Sequence, residues 1–122
     1  MAVSLVLVDK SAFVRGSETE GELCLCAVTC MELLYSARSA ADYERIGAAL
    51  GAFRELRMDA ETFAIAQTAQ RELADSGRHR VPIPDLLIAA CAQQHGADVL
   101  HVDRHFDMLA GVLSFTSVRA SS

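Results

Sequence analysis

The 122-residue sequence predicts an α/β chain, a three-layer α/β/α sandwich built on a mainly parallel central sheet, and three observations carry that expectation. Val3 to Val8 (VSLVLV) is continuously apolar, the pattern of a strand buried on both faces. Asp98 to Val102 repeats the pattern more briefly, directly after an apolar helix that Gly96 can end in a left-handed conformation. Between and around these two strands, the chain reads strand, helix, strand, helices, strand, helix, strand, an order that puts helices on both faces of a parallel sheet.

Taken in order, the first strand ends in Asp9, and Ser11 to Gly16 reads as a short helix or turn. Glu18 to Glu22 is an acidic, solvated connection, and Leu23 to Val28 a second short strand. Thr29 and Glu32 have the spacing of a capping box, which starts a helix continued by Leu33, Leu34 and Ala37. Ser39 can cap the next helix, with Tyr43, Ile46, Leu50 and Phe53 marking a stripe up to about Leu56. Asp59 can cap another, with Phe63, Ala66, Ala69 and Leu73 on one face and Ser76-Gly77 at its end. These two helices are expected to form an antiparallel pair. Pro82 and Pro84 lead into a helix whose first turn holds Asp85 and whose apolar face runs through Leu86, Leu87, Ala90 and Cys91. Asp103 closes the following strand, a short helix runs from about Arg104 to Ala110, and Val112 to Val118 supplies the last strand.

Composition narrows the function classes. At 52% hydrophobic residues and a mean hydropathy of +0.24, the chain has ample material for a core, and its size suits one domain spanning residues 1–122. The longest uncharged apolar run, near Leu86 to Ala92, is far below the roughly 20 residues a bilayer crossing needs. The amino terminus has neither the basic lead nor the cleavage site of a signal peptide, so the expected location is the cytoplasm, with no membrane association. In that setting Cys24, Cys26, Cys30 and Cys91 read as reduced, buried thiols; two disulfides fit only a secreted chain, and the spacing is poor for zinc. A formal charge of −5 opposes broad electrostatic attraction to nucleic acid. It does not exclude a metal-dependent nuclease, because carboxylates gathered round a cation make a chain acidic while the loaded site is locally positive.

Four acids fit that description. Asp9 and Asp103 stand at carboxyl ends of strands, and Asp85 and Glu32 in the first turns of helices, so all four can face one crevice. Each also has an ordinary explanation as a helix-dipole partner or turn former. Together, four carboxylates at one sheet edge repel unless a cation or protons compensate them, and magnesium, with manganese able to substitute, is the natural hard, oxygen-seeking ion.

Val6-Leu7-Val8-Asp9-Lys10-Ser11-Ala12, Thr29-x-x-Glu32-Leu33, Pro84-Asp85-Leu86-Leu87-Ile88-Ala89-Ala90 and Val102-Asp103-Arg104-His105-Phe106 resemble, in order and spacing, the four motif blocks of the PIN domain, and specifically of VapC-type toxins. The resemblance covers nearly the whole chain. It implies a PIN-like fold and a magnesium-dependent endoribonuclease, inhibited by a cognate VapB-type antitoxin and usually homodimeric. It places Asp9, Glu32, Asp85 and Asp103 on the family's catalytic, metal-holding acidic positions and Ser11 on its hydroxyl position. Lys10 beside the first acid, and His105 where the family often has an acid, depart from the pattern. The chemistry also fits the residues independently: a metal-bound water aligned by a carboxylate attacks phosphorus in line and leaves a 5′-phosphate and a 3′-hydroxyl.

Substrate contacts are expected from Ser11, Arg15 and Arg104, which adjoin the motif blocks; Arg78 and Arg80 are further phosphate-contact candidates, with solvated arginines as the default. Three rival readings remain open. One is metal-free acid–base catalysis by histidines, although His79, His95, His101 and His105 form no locally spaced pair. Another is an aspartyl phosphohydrolase acting through Asp9, against which Ser11 stands where such an enzyme uses a second aspartate. The third is a non-catalytic module whose acids hold partner arginines. For assembly, the expectation is a homodimer that also binds a small basic or amphipathic antitoxin, because the Ser39–Ser76 helices carry more apolar residues (Ile46, Leu50, Phe53, Leu56, Phe63, Ile65) than one stripe requires.

Overall fold

Leu7, with no exposed surface, lies on a strand through the middle of the molecule, and the remaining elements wrap around it. The computed structural model describes residues 4–13 and 20–120. Its elements are β1 (Leu5–Val8), α1 (Lys10–Phe13), β2 (Glu22–Leu25), α2 (Ala27–Tyr35), α3 (Ala40–Leu50), β3 (Arg54–Glu55), α4 (Ala60–Asp75), α5 (Ile83–His95), β4 (Asp98–His101), α6 (Arg104–Leu109) and β5 (Ser117–Arg119). The five strands form one sheet in the order β3-β2-β1-β4-β5, every neighbouring pair parallel. Strand order reverses at β1, which has β2 on one side and β4 on the other, so the carboxyl ends of β1 and β4 flank a crevice of the kind that binds ligands in open α/β sheets.

Two apolar layers sandwich the sheet. Alternation along β1 sends Leu7 to one face and Val6 and Val8 to the other. Leu7 packs with α4, α5 and α6 through Leu73, Ile88, Cys91, Phe106 and Leu109. Val6 and Val8 pack with Ala12, Leu33 and Leu50 from α1, α2 and α3. Local signals set the helix ends as expected: the Ser39 side chain accepts the Asp42 N–H, Asp59 and Thr62 make a reciprocal capping box, and Gly96 ends α5 at φ 66°. The four cysteines are free thiols, three of them buried. No described helix is long and apolar enough to cross a membrane.

Five expectations need correction. First, α2 starts earlier than the Thr29 cap predicts. Cys26 is the N-cap and Thr29 lies inside the helix, fully buried, with its hydroxyl 3.5 Å from the Cys26 sulfur, so Glu32 sits in the second turn and β2 stops at Leu25. Second, the helix expected to reach Leu56 ends at Leu50. Arg54 and Glu55 instead pair with Cys24 and Leu25, because the edge of β2 gains backbone hydrogen bonds that a helix there forgoes. Third, α3 and α4 are not a pair. With β3 between them the chain crosses the sheet edge, so α3 packs on α2 and α4 on α5 at opposite faces. Fourth, most of the apolar surplus on these helices is absorbed by the chain's own core: Leu50 and Leu56 are buried, Ile46, Phe53 and Ile65 pack against the core, and Phe63 alone of the six is exposed. The last strand is also shorter than expected, beginning at Ser117 after a run of turns.

Candidate active site

The acids gather at the carboxyl edge beside the β1–β4 junction. Asp9 follows β1 directly, its N–H donating to the Leu100 carbonyl of β4 at 2.9 Å, which ties the two strand ends together. Its Oδ2 accepts two hydrogen bonds from Ser11, from the backbone N–H at 3.0 Å and from the hydroxyl at 2.6 Å. The same hydroxyl accepts from the Val102 N–H at 3.0 Å, so Ser11 bridges both strand ends while holding the Asp9 carboxylate in place. Asp9 is 5% exposed and Asp85, in the first turn of α5, is 7% exposed.

Asp103 is the N-cap of α6 and accepts the His105 N–H through Oδ1 at 3.0 Å. One turn of α6 also carries the His105 ring into the centre. Nδ1 lies 2.8 Å from Asp103 Oδ1 and 3.1 Å from Asp85 Oδ2, although it is not aimed at either for a hydrogen bond. Ligand atoms of Asp85, Asp103 and His105 all lie within 4.8 Å of one another. Glu32 stands further back on α2, half-buried, facing the same crevice electrostatically.

The protonation behaviour of these groups shows that they share one field. Burial pushes the Asp85 carboxyl up to about 7, helped by the charges of Asp103, Asp9 and Glu32 and opposed by His105. Burial also raises Glu32, with Asp9 adding to the shift and Lys10 opposing it. Asp103 is partly buried, which works to raise it, but the backbone N–H and ring of His105 offset that and hold it below the ordinary carboxylate range.

This arrangement fits a divalent cation. Asp85 Oδ2 is buried without a hydrogen-bond partner among the described residues, an expense of about 1–3 kcal/mol that a bound positive charge removes. The surrounding donors are carboxylate oxygens, suited to a hard divalent cation, with one imidazole nitrogen, a donor that softer first-row metals prefer.

Of the expected substrate contacts, Ser11 is engaged by Asp9 and Val102, Arg104 lies exposed at the start of α6, and Arg15 is outside the described residues. The residue underweighted by sequence reasoning is His105, treated as a departure from the family pattern or as a metal-free acid–base candidate. No local spacing announces it, because residues two apart on a helix do not share a face; the placement depends on how α6 packs against the start of α5.

A match to the PIN domain family spans residues 6–112. The chain is 40% identical over 116 residues to a protein of Mycobacterium tuberculosis named ribonuclease VapC17, covering 87% of each, and 37% identical over 119 residues to ribonuclease VapC21 of the same organism, covering 87% of this chain and 86% of that one. The fold is similar to that of a chain in the crystal structure of VapBC-5, a toxin–antitoxin system of M. tuberculosis, with a TM-score of 0.77, 26% identity, and 96% of this chain and 99% of the other covered. The chain belongs to the PIN domain family, and within it to the VapC group.

Proposed function

We propose that this chain is a magnesium-dependent endoribonuclease, active with manganese as well, and the toxin of a cytoplasmic toxin–antitoxin pair. The observation that carries the reading is the buried, unpartnered Asp85 oxygen among Asp9, Glu32 and Asp103, in a chain whose relatives are named ribonucleases. In this reading Asp9, Glu32, Asp85 and Asp103 hold the cation. When bound, the ion supplies charge to the developing oxyanion and lowers the pKa of the attacking water. Asp9 is fixed for that task by Ser11, which we assign to positioning rather than to phosphate contact. Hydrolysis leaves a 5′-phosphate and a 3′-hydroxyl.

The antitoxin reading draws support from an apolar groove of about 480 Å³ between α2 and α5, where Met31, Tyr35 and Ile83 are exposed beside Glu32 and Lys10. An amphipathic antitoxin segment laid there reaches the acids with a basic side chain. This groove, and not an α3–α4 surface, is the place for it. The homodimer remains part of the proposal, and light scattering with and without antitoxin tests it.

The test of the nuclease reading offers single-stranded RNA and a small phosphomonoester side by side. RNA cleavage that requires magnesium, stops with EDTA and falls at least about a hundredfold in Asp9→Asn and Asp85→Asn supports it. Activity that survives EDTA, or a phosphoenzyme on Asp9, sinks it.

A further inference from the structure

A second cleft, of about 360 Å³, reaches His105 and lies between the turn after α4 and helix α6. Arg78, Arg80 and Arg104 line it, with Val81 and Met108 as its apolar part and His105 as the wall it shares with the acid centre. No carboxylate lines it, in a chain carrying a formal charge of −5. Most of the described arginines elsewhere behave differently. Arg45, Arg54, Arg57, Arg71 and Arg119 each have a carboxylate within ion-pair distance, whereas Arg78, Arg80 and Arg104 have none among the described residues. Of the five described cations with no carboxylate at ion-pair distance, Lys10 and Arg38 lie elsewhere and these three converge in one cleft.

The backbone prepares this convergence. Gly77 adopts φ 72° at the end of α4, and the Arg78 N–H returns to the Leu73 carbonyl at 2.8 Å, which fixes the turn to the helix end. Arg78 Nε is further oriented by the Ser76 hydroxyl at 3.3 Å. Arg80 and Arg104 lie on the segments that deliver Asp85 and Asp103, so the basic cleft and the acid centre are built on the same two stretches of chain.

We propose that this cleft is a subsite for a backbone phosphate of the RNA strand, next to the phosphate at the acid centre, held by Arg78, Arg80 and Arg104. The inference rests on the nuclease reading and adds to it the way the strand is anchored. Guanidinium groups suit the task because each can meet two phosphate oxygens at once. With His105 common to both sites, a single strand can occupy both, and RNA must extend past the cleaved bond on the arginine side to be a good substrate.

The experiment compares Arg78→Ala/Arg80→Ala with the charge-matched Arg45→Ala/Arg71→Ala, whose side chains lie on α3 and α4 outside the cleft. For the first pair the proposal predicts a KM for single-stranded RNA raised about tenfold, kcat at saturation changed less than about twofold, and a log K versus log salt slope smaller by about 1.4, two cations at about 0.7 each. Manganese binding should match wild type, and the control pair should keep the wild-type KM and slope. A first pair that matches the control in KM and slope overturns the proposal, as does loss of kcat without a change in KM, or a weakened grip on antitoxin with RNA binding intact. Equilibrium binding of labelled RNA to Asp85→Asn separates this from failure of the nuclease reading. If wild type never cleaves, the nuclease reading fails, and the same loss of RNA affinity on adding the arginine changes still reports the subsite.

Discussion

Two polar clusters lie a single residue apart along the chain, on either side of Val102, and they are built in opposite ways. His101, fully buried on β4, has both ring nitrogens engaged: Nδ1 accepts the Asp103 N–H at 3.1 Å, and Nε2 meets the Ser117 hydroxyl. That hydroxyl donates to Asp107 Oδ1 at 2.7 Å, and Asp107 Oδ2 accepts from Arg119 at 3.2 Å. Burial lowers the His101 pKa, consistent with a neutral ring that accepts at Nδ1 and donates at Nε2. In the acid centre, by contrast, Asp85 Oδ2 and His105 Nδ1 are buried without hydrogen bonds among the described residues. A buried polar group with its partners present stabilises a fold; one left without them is retained for something the free chain lacks. By this contrast His101 belongs to the architecture, and Asp85 suits the cation-holding role proposed for it.

The largest effect that can break this contrast is on activity. Asp85→Asn should abolish magnesium-dependent RNA cleavage, by at least about a hundredfold, while leaving the fold intact by circular dichroism. His101→Ala should do the reverse in kind. It leaves the Asp103 N–H without its acceptor and the Ser117 hydroxyl without the ring donor, and opens a cavity, which costs about 2–4 kcal/mol in denaturant unfolding. If His101→Ala melts like wild type, the satisfied cluster is not structural.

Next in size is a pH effect confined to the metal-free protein. The folded Asp85 carboxyl is pushed up to about 7 from an ordinary 3.8, so the unfolded chain gives up this proton more readily than the folded one. The contribution of Asp85 to stability is therefore most favourable below about 4, declines as pH rises, and is least favourable above about 7. In EDTA, Asp85→Asn should melt above wild type at pH 8 and close to it at pH 4.5. A wild type that in EDTA melts above the variant at pH 8 contradicts the assignment. Smaller still, Thr62→Val removes a fully buried hydroxyl that bonds Gln94 and the Asp59 N–H, and should cost about 1–2 kcal/mol without changing cleavage. Arg71→Ala breaks an exposed pair with Asp75 and should change stability by less than about 0.5 kcal/mol.

What could be read from the sequence was local. Ser39, Asp59 and Gly96 mark helix ends because their side chains, or the lack of one, act within a few residues, and the apolar runs of β1 and β4 announce buried strands. Thr29 misled because threonine three residues before a glutamate has cap spacing wherever it falls, and here the helix begins a turn earlier. The two-residue strand Arg54–Glu55 has no periodicity to detect, since its existence depends on the free edge of β2 about thirty residues away in sequence. Missing it also produced the mistaken α3–α4 pair. Asp9, Asp85 and Asp103 were legible as a pattern of strand ends and a helix start, and Glu32 was misplaced by one turn; the seat of His105 between Asp85 and Asp103 was not legible, and neither was the meeting of Arg78 and Arg80 with Arg104, because both depend on α6 packing against the start of α5.

The central claim is that the partnerless Asp85 oxygen at the carboxyl edge belongs to a cation site. Calorimetric titration of manganese into metal-stripped protein at pH 8 tests it most directly. The account predicts saturable binding to wild type, preserved in Ser117→Ala and lost in Asp85→Asn and Asp9→Asn. Wild-type protein that takes up no manganese, or an Asp85→Asn variant that binds it as well as wild type does, would contradict it.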